Sequence, residues 1–141
     1  YLTGGKIDFD YNGLASNEYG WWQIHGGKAD FDYNGLTANE NGWWRLAGGK
    51  IDFDYNGFAS NENGNWRVIG GKIDFNRTGV DFDGASWWRV EGGKVNTNYN
   101  GIAQNEYGWW YIRHGKVVFD FTGWTKVSSG RYYVHNGCVN R

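Results

Sequence analysis

A lysine preceded by glycine returns at Lys6, Lys28, Lys50, Lys72, Lys94 and Lys116, so the chain repeats itself every 22 residues. The same step carries Gly13, Gly35, Gly57, Gly79, Gly101 and Gly123, and an aromatic series running Trp22, Trp44, Trp66, Trp88, Trp110 and Tyr132. A unit this short cannot bury its own apolar face, so neighbouring units must stack and cover one another. The expected architecture is therefore all-β: a solenoid of stacked β-hairpins on a 22-residue repeat, about six repeats in all, forming one module over 1–141. Two stretches depart from the pattern. One is an irregular repeat near 76–92, with NRTGVDFDGAS at Asn76 to Ser86; the other is the unit over 123–141, which reads as a C-terminal cap.

The hairpin assignment comes from the Gly-Gly pairs. In Trp21 to Lys28, WWQIHGGK, two adjacent glycines separate two short runs, and a two-residue hairpin loop of the primed type needs positive φ at both positions. Taking Gly26 and Gly27 as the loop sets His25 opposite Lys28, Ile24 opposite Ala29, Gln23 opposite Asp30, Trp22 opposite Phe31 and Trp21 opposite Asp32. Alternation then collects Trp22, Ile24, Ala29, Phe31 and Tyr33 on one face, expected to be core. Trp21, Gln23, Lys28, Asp30 and Asp32 fall on the other, expected to be wet. The stretch Asn34 to Gly42, NGLTANENG, is rich in turn formers and reads as the longer connection, with Leu36 plugging the core. No segment has helical periodicity.

With 10 Trp, 10 Tyr and 8 Phe against no Met and no Pro, aromatic rings rather than aliphatic chains are expected to supply the burial. The formal net charge is −1 with the cations spread singly, which offers no basic stripe for nucleic acid. No apolar run approaches the roughly 20 residues of a membrane span. The pattern is already running at Tyr1, which reads as a fragment whose targeting segment lies elsewhere. The single Cys138 has no partner for an internal disulfide.

Candidate site residues follow from the face assignment. The first Trp of each pair, at Trp21, Trp43, Trp87 and Trp109, is placed on the polar face, where a large indole suits stacking on a sugar ring or enclosing a cation. Packing against the next hairpin is the competing reading. Asn65 and Arg131 at the same register argue for surface over core. Beside them, Glu18, Glu40, Glu62 and Glu106 are candidates for hydrogen bonds to sugar hydroxyls or for pairing with an ammonium ligand; capping and ion pairing compete for them. The carboxylates at Asp8 and Asp10, Asp30 and Asp32, and Asp52 and Asp54 invite comparison with a Ca²⁺ site, but such a site needs six or more converging oxygens, so no metal is expected. His25, His114 and His135 fall at hairpin turns and share no carboxylate or thiol pattern. No catalytic residues and no cofactor are expected from polar residues that merely recur on an open ribbon.

Taken together, GWW, a hairpin turn ending in GK, and an aromatic-containing strand, as in GWWRLAGGKIDF from Gly42 to Phe53, resemble the Gly-Trp-rich cell-wall-binding repeats of Gram-positive surface proteins and phage lysins. That group includes the choline-binding and glucan-binding repeats, and the resemblance covers essentially the full length. It implies a β-hairpin solenoid, and for choline-binding members a ligand held in aromatic cages between successive hairpins. Where those members usually carry Tyr-Tyr or Trp-Tyr-Tyr on the second strand, this chain has IDFDY, with two acids flanking a single Phe. The function expected is a non-catalytic module of a secreted or cell-wall-associated surface protein, gripping cell-wall polysaccharide or another glycan through several weak aromatic grooves. Two alternatives stand beside it. One is a protein-binding module that grips a host glycoprotein or immunoglobulin through its Trp and Tyr residues; the other is a structural stalk.

Overall fold

The computed structural model describes residues 10–141, together with the backbone of two short paired strands, Leu2–Thr3 and Lys6–Ile7. Asp8, one of the acids considered above, lies outside the described residues. The chain divides into two compact units, Tyr1–Asp74 and Phe75–Arg141. Each is a stack of antiparallel β-hairpins, and no helix occurs among the described residues.

In the first unit the hairpins are Gly13–Asn17 with Gly20–His25, Gly35–Asn39 with Gly42–Ala47, and Gly57–Asn61 with Gly64–Ile69. In the second they are Gly79–Phe82 with Trp87–Glu91, Gly101–Asn105 with Gly108–Arg113, and Gly123–Val127 with Gly130–His135. A two-residue strand follows each hairpin, such as Lys28–Ala29 or Lys50–Ile51. The Gly-Gly turn leading into it behaves as the sequence predicts: Gly26 and Gly27 have φ of 58° and 81°, and Ile24 and His25 pair with Ala29 and Lys28.

Three expectations change. The stretch read as a long connection is itself a strand: Gly35–Asn39 pairs over five residues with Gly42–Ala47, from Gly35↔Leu46 to Asn39↔Gly42. Its turn formers sit at the strand ends, while Leu36 inside it is buried. Second, the IDFDY segment pairs only at its start. After Ile24↔Ala29 a single backbone bond follows, Asp30 N to Gln23 O at 2.8 Å. The Asp30 carboxylate then accepts from the Asp32 amide at 3.1 Å and the chain turns away. The reason is competition for the strand edge: Gln23 N donates to Gly49 O of the next repeat at 2.7 Å, and Trp22 is the Cα partner of Lys50. Trp22 and Trp21 therefore never face Phe31 and Asp32 across a ladder.

Third, the fully buried side chains are aliphatic, not aromatic. Each core cluster joins buried residues of one repeat to buried residues of the following one. Leu14 meets Leu46 and Ile51, and Leu36 meets Val68 and Ile73. In the second unit Val80 and Ala103 meet Ile112 and Val117, and Ile102 and Tyr111 meet Val134 and Val139. Tyr111 apart, aromatic rings form the half-buried shell around these slabs. Burying a chain such as Leu46 contributes roughly 2–3 kcal/mol, and no repeat obtains it without a neighbour.

The irregular repeat preserves this geometry by exchanging partners. Where Tyr33 and Tyr55 donate their hydroxyls to Leu36 O and Phe58 O, Arg77 instead pairs with Asp81 through two N–H groups. Thr78 replaces the asparagine that caps the glycine turn, accepting from Gly92 N at 3.1 Å as Asn34 accepts from Gly48 N at 2.9 Å. Residues 123–139 likewise form the same hairpin and short strand as the other repeats.

Candidate functional site

The recurring surface constellation is centred on the second Trp of each pair. Asn17 ends the first strand, and its carboxamide oxygen accepts from Tyr19 N at 2.8 Å and from the Trp22 indole N–H at 3.0 Å. One side chain thus closes the turn and fixes the ring. Asn39 does the same for Asn41 N and Trp44, and Asn105 for Tyr107 N and Trp110. In the irregular repeat Asp83 takes over, accepting from Ala85 N, Ser86 N and the Trp88 indole. Its carboxyl is held below the usual range, chiefly by the Ser86 amide, with the Ala85 amide and the Trp88 indole adding to it against a smaller opposing effect of burial.

Against three of these fixed indoles stands an exposed phenylalanine. Phe31 meets Trp22 edge-on at 5.5 Å between ring centres, Phe53 meets Trp44 at 5.5 Å, and Phe119 meets Trp110 at 5.6 Å. These rings are 66%, 48% and 45% exposed, a cost in water that single-chain packing does not recover. Phe31 was expected in the core. It shares a face with Trp22, Ile24 and Ala29 as alternation requires, but its segment has left the ladder and the ring stands in solvent.

A lysine from the next repeat completes the group. Lys50 Nζ lies 5.6 Å from the Trp22 ring centre, Lys72 5.5 Å from Trp44, and Lys116 5.9 Å from Trp88. The glycine that opens each Trp strand makes room for the lysine stem: a Cβ on Gly20 would come within 2.6 Å of Lys50 Cε, and one on Gly42 within 2.5 Å of Lys72 Cε. Sequence reading missed these lysines because the two partners are 28 residues apart, so only the stacking of repeats unites them.

The first Trp of each pair packs against the neighbouring repeat, the competing reading of its register. Trp21 packs on the Leu14, Leu46 and Ile51 cluster, Trp43 on Leu36, Val68 and Ile73, Trp87 on the cluster of Val80 and Ile112, and Trp109 on that of Ile102 and Val134. Its face is covered because the following repeat lays its aliphatic residues there, and Trp44, Trp66 and Trp110 are half-buried against the same clusters from the other side. The polar substitutes at that register fit nonetheless: Asn65 is half-buried, and the exposed Arg131 lies over Trp124 at 5.6 Å. Glu18, Glu40, Glu62 and Glu106 are all solvent-exposed at the hairpin turns. His25, His114 and His135 are exposed as well, and no three His, Cys, Asp or Glu residues gather to hold a metal among the described residues.

One concavity of about 650 Å³ lies over Trp22, Ile24, Ala29 and Lys50. One repeat later the equivalent residues Trp44, Leu46 and Ile51 are covered by Leu14 and Trp21. Among the described residues this hollow is therefore an uncovered stacking face and not a recurring pocket. The recurring feature is the shallow Trp–Phe pair.

A family model described as choline-binding repeat matches the chain six times, over residues 10–30, 32–52, 54–74, 78–96, 98–118 and 120–140. Among solved structures, choline binding protein F from Streptococcus pneumoniae is 18% identical with a TM-score of 0.39, and CbpJ from Streptococcus pneumoniae TIGR4 is 19% identical with a TM-score of 0.40. Both matches cover 92% of this chain and 42% of the other. Alternansucrase in complex with isomaltononaose is 15% identical with a TM-score of 0.41, covering 92% of this chain and 10% of that one. This chain thus spans well under half of each of these proteins. No curated protein matches it in sequence.

Proposed function

The chain belongs to the choline-binding repeat family, and from that premise we propose that it is a non-catalytic module, acting as one unit over 1–141, that holds a secreted or surface protein on cell-wall polysaccharide or a related glycan. The observation that carries this reading is the pairing of a half-buried indole with an exposed phenylalanine at Trp22–Phe31, Trp44–Phe53 and Trp110–Phe119. An indole fixed by its hydrogen bond to an asparagine and flanked by an exposed ring offers a rigid apolar platform for the C–H face of a sugar. Glu18, Glu40, Glu62 and Glu106, exposed at the adjoining turns, supply acceptors for its hydroxyls. Trp21, Trp43, Trp87 and Trp109 take the role of the wall that carries the platform. Each platform is weak, and repetition along one polysaccharide converts several weak sites into useful avidity.

The test is co-sedimentation with purified Gram-positive cell walls and with insoluble α-glucan, comparing the wild type with Phe53→Ala/Phe119→Ala. Both rings are surface residues, so stability should change by less than about 1 kcal/mol, while retention on the polymer should fall at least ~10-fold as two of several sites are lost. Unchanged retention would remove the platform reading. The exposed Tyr19, Tyr107 and Trp124 favour a second reading, in which a host glycoprotein is the partner. It would gain if both polymers fail and a purified serum immunoglobulin or mucin is retained instead.

A further inference from the structure

The same aromatic faces that suit a sugar also attract cations, and in this chain several of them already have one. An ammonium within about 6 Å of a ring centre is held by the electron-rich face, and indole is the strongest of the side-chain rings in this respect. Lys50 and Lys72 meet that criterion over Trp22 and Trp44, each lying against a glycine that leaves space for its stem. Lys116 does so over Trp88, where Thr97 stands in place of the phenylalanine. At Trp110 the arrangement differs. Its Cα partner in the next repeat is Cys138, the residue at the lysine register, and no cationic side chain lies over that indole among the described residues. The thiol is too short to cover the ring: its Sγ stands 4.0 Å from where a Cβ on Gly108 would be. The Phe119 ring is still in place at 5.6 Å.

We propose that Lys50, Lys72 and Lys116 are specificity-determining residues: each occupies the cation position of its own indole with the protein's own ammonium, so those faces refuse small quaternary ammonium ligands and serve uncharged sugars, while the Trp110–Phe119 pair alone among these is open to such a cation. The inference rests on the reading that the Trp–Phe pairs are binding faces. The lysine acts twice. It fills the place over the ring at a local concentration that no dilute ligand matches, and its positive charge repels an incoming cation. Neither effect opposes a neutral sugar approaching the exposed phenylalanine edge. A chain of this family thus discriminates against the ligand that gives the family its name in all but one of the four faces compared.

Choline chloride is the probe, and the ten indole N–H resonances in a ¹⁵N–¹H spectrum give one reporter for each tryptophan. In the wild type the Trp110 resonance is expected to titrate, with Trp22, Trp44 and Trp88 unmoved over the same range. Lys72→Ala should bring Trp44 into the titration with a gain in choline affinity of at least ~5-fold, and Cys138→Lys should silence Trp110. Lys72→Gln keeps the stem and removes the charge, so it gives the same result even if truncation to alanine loosens the turn. A wild-type Trp44 that titrates as strongly as in the variants, a Trp110 that stays still, or a Trp44 that is unmoved in both lysine variants would overturn the proposal. Glycan co-sedimentation of the same samples separates the two readings. A choline pattern that fails while glycan is still retained overturns the lysine assignment alone, and loss of glycan with the choline pattern intact overturns the glycan reading alone.

Discussion

At the Gly48–Gly49 turn both residues have positive φ, 58° and 81°, yet they answer to different constraints. A Cβ on Gly48 would come no closer than 3.7 Å to Phe31 O, whereas one on Gly49 would stand 2.1 Å from Asp30 O, a backbone atom that cannot move aside. The amide of Gly49 donates to Tyr33 O at 2.8 Å and its carbonyl accepts from Gln23 N at 2.7 Å, so it is the point where two repeats are tied together. The chain itself reports the difference. His114 and Asn136 occupy the first position at φ of 53° and 49°, and Gly115 and Gly137 keep the second. Gly48→Asn is therefore expected to change stability by less than about 1 kcal/mol, and Gly49→Ala to cost about 3 kcal/mol or more, through strain and a lost inter-repeat bond. Urea unfolding of the two variants checks this. Equal costs would mean that the turn, rather than the approach of the neighbouring repeat, sets the glycine requirement.

On the scale of the hairpin, the asparagine at the end of each first strand decides whether the element and the site form together. Asn39 accepts from Asn41 N at 2.8 Å and from the Trp44 indole at 3.0 Å. Removing the acceptor costs roughly 1–2 kcal/mol for two bonds at a half-buried position and frees the indole on which the exposed ring stands. Asn39→Ala should lower stability by that amount and shift the Trp44 indole resonance, while Asn39→Asp should do neither strongly, because Asp83 already performs the same task for Trp88. The hairpin also explains what the sequence discloses and what it conceals. The Gly-Gly turn and the pairs Ile24↔Ala29 and His25↔Lys28 are readable, since both turn positions need positive φ and adjacent residues set the register. The first strand is not: NGLTANENG has the composition of a loop, and only in the fold does GLTAN prove to be a strand, with Asn39 closing the turn at its end and Asn34 before it accepting from Gly48 N. Face membership is readable too, for Trp22, Ile24, Ala29 and Phe31 do lie together. Depth is not. Whether a face is core or surface depends on what the next repeat lays over it, and Leu46, Ile51 and Lys50 are too far along the chain for alternation to reveal.

For the molecule as a whole, the consequence of slabs shared between repeats is that phase matters more than length. Leu14 is covered by Leu46 and Ile51, and one period later Leu36 is covered by Val68 and Ile73. Deleting residues 35–56 removes one full period and rejoins Asn34 to Gly57, which restores the Asn-Gly step found at Asn56–Gly57. Leu14 then meets Val68 and Ile73 in place of Leu46 and Ile51, and Lys72 arrives over Trp22 in place of Lys50. The substitution of Leu46 by Val68 in that slab removes one methylene, a loss of about 1 kcal/mol. Deleting residues 35–45 removes fewer atoms but half a period, so Asn34 runs straight into Leu46, the strand that pairs with Gly42–Ala47 is gone, and the slab beneath Trp21 has no cover. The longer deletion is expected to unfold cooperatively with a urea m-value lower by roughly a sixth, since m follows the surface exposed on unfolding, and the shorter one to lose the near-ultraviolet circular dichroism of its packed tryptophans. If instead the shorter deletion were the better tolerated, the repeats would be independent hairpins on a string, and neither the shared aliphatic slabs nor the lysines that reach across them could be what holds the stack together.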